Sequence, residues 1–317
     1  MRPAHREPNL FEANSRGPEP VRPPFTRIVM SLAALLIVLV AACTHATWNF
    51  AAKRSGGGLP FVWICGLMIL SLYVPVVAGY WWWWHPQLPS GTWLAILGSG
   101  VLKTAYTLLL QRGYRHGDFS LVYPLARGTG PLLSTLAAIA IFGERPSPLA
   151  LGGGLMIVGC ILYLTGGSSL LHADRSHLRQ GLRYGLACGL CIASYTVWDQ
   201  RAVAHLQVPP VLYDCGTQIV MVAIITPFAW RRWPEVVHDW REHRGKALVV
   251  AVLGPTGYVL ILTAMQFTPV SYIAPAREIS ILIGTLFGAK LLKEADAGRR
   301  LVAASGMVLG VIALALG

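Results

Sequence analysis

Ten stretches of mostly apolar residues follow one another along the chain, at approximately 28–50, 59–80, 91–111, 119–142, 149–168, 181–203, 209–230, 247–267, 270–292 and 299–316. A helix needs about 20 consecutive apolar residues to cross a bilayer, so each stretch is read as a membrane span. No sizeable soluble domain is left over. Composition agrees: 54% of the 317 residues are hydrophobic and 13% charged, with a mean hydropathy of +0.54, whereas soluble domains carry roughly 25% charged residues. The formal charge of +12 would suit nucleic acid, but Lys and Arg sit mostly in short connectors, where membrane proteins keep them. The partner that composition demands is the lipid bilayer, and no nucleic-acid partner is expected. The six Cys lie inside apolar runs, so neither a disulfide framework nor a metal site is implied. Cys188 and Cys191 make a C-x-x-C, which could be a redox or metal pair, but they read first as two small residues on one face of a lipid-embedded helix.

An internal repeat fixes the architecture more firmly than propensity does. Sliding the chain by 150 residues places Trp48 on Trp198, Cys65-Gly66 on Cys215-Gly216, Arg127 on Arg277, Leu136 on Leu286 and Glu144 on Glu294. With small gaps, Tyr106 falls on Tyr258 and Pro124 on Pro275. The expected fold is therefore an all-α integral membrane protein of ten transmembrane helices, with one five-helix repeat over 28–170 and a second over 181–317. A unit of five spans enters the membrane from opposite sides in its two copies, so the repeats form an inverted pair. That plan recurs in secondary transporters, with the substrate near the midplane and alternating access by rocking of the halves.

Residues 1–27 hold six Pro, three Glu and scattered Arg without apolar periodicity, and read as a disordered tail. Val40-Ala41-Ala42-Cys43 looks like a lipoprotein cleavage site. Cys43 falls opposite Ala193 in the middle of the sixth span, however, so the first span is expected to stay in the folded repeat. The connectors after spans one, three, five, seven and nine hold most of the Lys and Arg, including Lys53, Arg54, Arg112, Arg115, Arg175 and Arg179. The positive-inside rule would make those loops cytoplasmic and put both termini outside, whereas Arg16, Arg22 and Arg27 of the tail pull the other way.

Ionisable groups inside a span cost about 2.5 to 3.5 kcal/mol at the helix centre, so each is a functional candidate. Arg127 and Arg277 lie about eight residues into their spans, roughly 12 Å deep at 1.5 Å per residue. Related by the repeat, both can point into one shared cavity. An Arg fork suits carboxylate, phosphate or phosphonate. Glu278 and Asp199 are the acids available for a coupling ion or for buried ion pairs. Helix neighbours point about 100° apart, so Arg277 and Glu278 are expected to find partners elsewhere rather than each other. Lys103 and Asp214 lie nearer span ends or can snorkel, so a structural rather than a functional role is expected of them; Glu144-Arg145 and Lys293-Glu294 read most simply as solvated caps. Pro124 and Pro275 precede the paired arginines and are expected to break their helices. Trp48, Trp198, Tyr106, Tyr123 and Tyr258, with Tyr195, could then line the pocket. The alternative for the charged set is ion pairing that fixes helix register alone. Gly185/Gly189, Gly284/Gly288 and Gly306/Gly310 fit close helix contact, between the halves or in a homodimer.

The stretch Leu109-Leu110-Gln111-Arg112-Gly113-Tyr114-Arg115-His116-Gly117-Asp118, then Tyr123-Pro124-Leu125-Ala126-Arg127-Gly128 and Gly143-Glu144-Arg145, resembles the third and fourth spans of the EamA-type family of the drug/metabolite transporter superfamily. Ala274-Pro275-Ala276-Arg277-Glu278 and Leu292-Lys293-Glu294 resemble the second copy. His45-Ala46-Thr47-Trp48-Asn49-Phe50-Ala51-Ala52-Lys53-Arg54 is similar to a subgroup associated with phosphonate utilisation. The resemblance covers 28–317. It implies a multi-pass protein of the bacterial inner membrane, with both termini cytoplasmic, that moves a small metabolite by exchange or on an ion gradient, without a cofactor. The expected function is secondary transport of a small anionic or zwitterionic solute, with a coupling ion as a second partner. The rival readings are a membrane-embedded enzyme, whose signatures would be H-E-x-x-H, G-x-S-x-G or paired intramembrane acids, and a non-transporting scaffold, whose signature would be a closed, polar-free interface between the halves. The sequence carries no H-E-x-x-H, G-x-S-x-G or G-x-x-x-x-G-K-[ST] motif that would point to a zinc site, a nucleophile elbow or ATP hydrolysis.

Overall fold

A computed structural model describes residues 30–55, 58–116, 119–165, 175–283 and 297–317. The expected tail 1–27, Gly284, Leu286, Gly288, Lys293 and Glu294 lie outside the described residues. Every regular element within them is helical: α1 (Leu32–Lys53), α2 (Leu59–Trp84), α3 (Thr92–His116), α4 (Phe119–Phe142), α5 (Pro148–Thr165), α6 (Arg175–Gln200), α7 (Pro210–Trp230), α8 (Trp233–Met265), α9 (Val270–Ala276) and α10 (Ala297–Leu316). A π-helical turn, Arg201–His205, continues α6.

Local chemistry sets the ends of these helices. The Ser31 hydroxyl accepts from the Ala34 amide at 3.1 Å and caps α1, meeting one of the donors that a helix start leaves over. Pro60, Pro210 and Pro234 open α2, α7 and α8, where a missing N–H costs nothing. Gly143, at φ 66°, closes α4 in the left-handed conformation that side chains resist. Among the described residues, six helices are long and apolar enough to cross a membrane: α1, α2, α3, α4, α7 and α8. α5 and α10 contain shorter apolar segments, Pro148–Tyr163 and Val302–Leu316.

Residues 231–246, expected as a connector, are instead largely helical: α8 starts at Trp233 and runs for 33 residues, about 50 Å. That exceeds a hydrocarbon core of about 30 Å, so its basic first turns, with Arg241, Arg244 and Lys246, extend beyond the apolar part.

The packing is paired between the halves. α1 packs on α8 as α6 packs on α3, and α2 packs on α8 as α7 packs on α3. α2 meets α7 and α5 meets α10, each helix against its own repeat mate. The largest core cluster accordingly joins α1, α3, α5, α7, α8, α9 and α10. Outward faces are apolar too: on α1 Leu32, Leu36 and Val40 are exposed while Ala34, Val38 and Ala42 are buried. Lipid makes such a surface inexpensive. The exposed Trp82, Trp83 and Trp84 close α2, as an interfacial belt would.

The small-residue spacings hold the halves together. A side chain at Gly185 would meet Leu125, and one at Gly189 would meet Thr129, both on α4. Gly306 and Gly310 bring α10 against Cys160 and Ile157 of α5.

Candidate functional site

Pro275 takes a donor out of α9, which stops at Ala276. The chain then tightens into i→i+3 bonds, Glu278 N to Pro275 O at 3.1 Å and Ile281 N to Glu278 O at 2.9 Å, before turning helical again at 279–283. Two backbone amides at the other end of α9, Val270 and Ser271, each donate at 2.9 Å to the Glu144 carboxylate. Glu144 is thus not a solvated cap of its own span. The left-handed turn at Gly143 delivers it to the start of a helix in the other half, where its charge meets the positive end of α9.

This break brings the paired arginines together. Arg277 Nε donates to Glu278 Oε1 at 3.2 Å, which corrects the expectation that these neighbours do not pair: a turn, not a straight helix, carries them. Arg127 Nε, from α4, lies 3.1 Å from Glu278 Oε2 as an ionic contact. Its Nη2 stands 3.0 Å from His45 Nε2 and 3.5 Å from Ser280 Oγ. A guanidinium only donates, so His45 accepts at Nε2 and carries its proton on Nδ1. Glu278 is fully buried and Arg127 is 7% exposed. The Trp48 indole meets the His45 ring edge-on, with centroids 4.9 Å apart.

The helix break is not repeated at Pro124: α4 runs without interruption through that position. Pro124 lies in the second turn, where it removes a single hydrogen bond near the helix start. The side chains of Tyr123 and Pro124 lie outside the described residues.

A second polar cluster forms on Asp199. It accepts from Ser99 Oγ at 2.5 Å and Tyr213 OH at 2.7 Å, and from Tyr258 OH. Lys103 Nζ stands 3.6 Å from Asp199 and 3.7 Å from Asp214, donates to Thr217 at 3.1 Å, and lies 4.2 Å over the Tyr258 ring. Tyr73 donates to Asp214 at 2.6 Å. Neither Lys103 nor Asp214 therefore snorkels to solvent. Lys103 sits at the middle of α3 with a 13% exposed side chain, and the Asp214 side chain is 1% exposed.

The two clusters are neighbours through α1 and α8. A side chain at Gly257 would meet Thr44 and the Ala41 carbonyl, so the helices are close at the residues preceding Tyr258 and His45. Tyr106 and Tyr195 meet edge-on at 6.1 Å beside Ala126, one residue from Arg127. Trp198 differs from its repeat mate: its indole donates to the Ala95 carbonyl at 2.9 Å and covers Gly98, fastening α6 to α3. Sequence reasoning missed His45 and Ser280 in the first cluster, and Ser99, Tyr213 and Tyr73 in the second. His45 had a signal, one turn before Trp48; the others are ordinary polar residues in apolar runs.

None of the curated proteins matches the chain. A crystal structure described only as that of a protein superposes with a TM-score of 0.71 at 18% identity, over 90% of this chain and 98% of the other. That likeness speaks of the fold. The EamA-like transporter family matches twice, over residues 32–165 and 179–316. Since these two matches together span most of the sequence, the chain belongs to the EamA-like transporter family, multi-pass membrane proteins of the drug/metabolite transporter superfamily.

Proposed function

We propose that this protein is a secondary transporter of a small anionic or zwitterionic metabolite. Its ten helices cross the bacterial inner membrane as two inverted repeats, 28–170 and 181–317, that rock about a central site. One observation carries the reading: Arg127 from the first half and Arg277 from the second share the buried carboxylate of Glu278. Among the described residues that cluster holds two guanidinium groups around one carboxylate. A guanidinium fork offers an incoming carboxylate, phosphate or phosphonate charge-assisted, bidentate hydrogen bonds. Ligand and Glu278 then compete for the same donors, which come from opposite halves. Trp48, Tyr106 and Tyr258 supply the walls around the anion, and Trp198 fastens α6 beside it. Similarity of residues 45–54 to the phosphonate-associated subgroup makes methylphosphonate the first probe.

The test is a thermal-shift screen of the purified protein against methylphosphonate, phosphate and amino acids. A ligand present at 100 times its Kd adds about 2.7 kcal/mol of stability. An anion should stabilise the native protein and neither Arg127→Gln nor Arg277→Gln. Hits that survive both substitutions would move the site elsewhere.

A further inference from the structure

The Lys103 cluster mirrors the arginine cluster in charge. It contains two carboxylates against one ammonium, a surplus of negative charge among the described residues. The two carboxylates are not equivalent. Asp199 receives three hydroxyl donors and the Lys103 contact, which fills the roughly four lone-pair positions of a carboxylate. Asp214 receives Tyr73 at Oδ2. Its Oδ1 has Lys103 at 3.7 Å and a long contact from Thr217 at 3.5 Å. The Thr217 hydroxyl is better placed on the Asp214 backbone carbonyl, at 2.9 Å. One position on Asp214 Oδ2 is therefore open. Lys103 stands almost equally far from both acids and hydrogen-bonds neither, while the Tyr258 face steadies its ammonium.

We propose that Asp214 is a proton-binding site of this protein, with Lys103 as the counter-charge that passes to Asp199 when the proton arrives. The proton comes from water on one side of the membrane and bonds to Asp214 Oδ2, turning carboxylate into carboxylic acid. Lys103 remains an ammonium, and the cluster changes from one surplus negative charge to none. The groups facing Asp214 come from every helix around it: Tyr73 of α2, Lys103 of α3, Asp199 of α6, Cys215 and Thr217 of α7. Tyr258 of α8 stands behind Lys103 and joins the cluster to the arginine site, because the adjoining Gly257 is where α8 meets α1. The use of this proton to drive transport rests on the transporter reading; the protonation itself does not.

The test is pH-difference infrared spectroscopy of the full chain in liposomes without added ligand. Stepping from roughly pH 8 to pH 6, above the range where exposed carboxylates titrate, should bring up one carbonyl stretch of a protonated carboxylic acid. The band should vanish in Asp214→Asn, persist in the exposed-site variant Glu235→Gln and move in frequency in Asp214→Glu. The last variant decides the matter should Asp214→Asn not fold. Absence of the band from the native protein, or a band unchanged in Asp214→Glu, would overturn the proposal. Neither result touches the anion screen, so failure of one reading is distinguishable from failure of the other.

Discussion

Glu278 Oε2 lies 3.1 Å from Arg127 Nε across the boundary between the two halves of the chain. The same carboxylate accepts from Arg277 at 3.2 Å. Breaking a buried ion pair is costly, so the contact ties the orientation of α4 to the break after α9.

Removing Glu278 should cost more than removing either arginine. Glu278→Gln leaves two buried guanidinium groups facing each other, and breaking a buried pair costs about 3 to 5 kcal/mol. Chemical unfolding in detergent should show that loss. The double variant Arg127→Gln/Glu278→Gln should recover part of it, since only one cation then remains.

Lys103→Met should destabilise the protein more than Tyr73→Phe. The first leaves Asp199 and Asp214 buried without their shared cation; the second removes one hydroxyl donor to a carboxylate, worth about 1.5 to 3 kcal/mol. Comparing the two unfolding midpoints checks the order.

Glu144→Gln tests the link between the halves. It weakens two amide contacts at the start of α9, and loss of an N-terminal cap costs about 0.5 to 2 kcal/mol. Because α9 leads directly into Arg277, the variant should also weaken binding of any anion found in the screen. Thermal shift with and without that anion separates the two effects.

Gly257→Leu should be far more damaging than Gly254→Leu. The first places a side chain into Thr44 of α1, whereas nothing lies within 4 Å of a Cβ at Gly254. A folded fraction measured by size-exclusion chromatography should fall only for Gly257→Leu.

Much of this was legible in the sequence because a repeat leaves two readings of each position. The matches of Arg127 to Arg277 and Cys65-Gly66 to Cys215-Gly216 announced a two-part chain, and both glycines do sit at contacts between halves, Gly66 on Val222 and Gly216 on Ile96. Other features depend on the path of the backbone. Straight-helix spacing separated Arg277 from Glu278, and the turn after Ala276 reversed that. Periodicity could not show that Glu144 reaches a helix more than 120 residues away, nor that Lys103 finds two aspartates on other helices. The repeat also misled where symmetry is broken: Pro124 leaves α4 continuous while Pro275 ends α9, and Trp198 holds a backbone carbonyl while Trp48 stands by a histidine.

The account turns on whether Arg127 and Arg277 together hold the transported anion. The most direct measurement is counterflow in proteoliposomes preloaded with the anion giving the largest thermal shift, reading entry of its labelled form. The account predicts accumulation by the native protein and a loss of at least about tenfold, the equivalent of 1.4 kcal/mol, in both Arg127→Gln and Arg277→Gln. Native rates in either variant would contradict it.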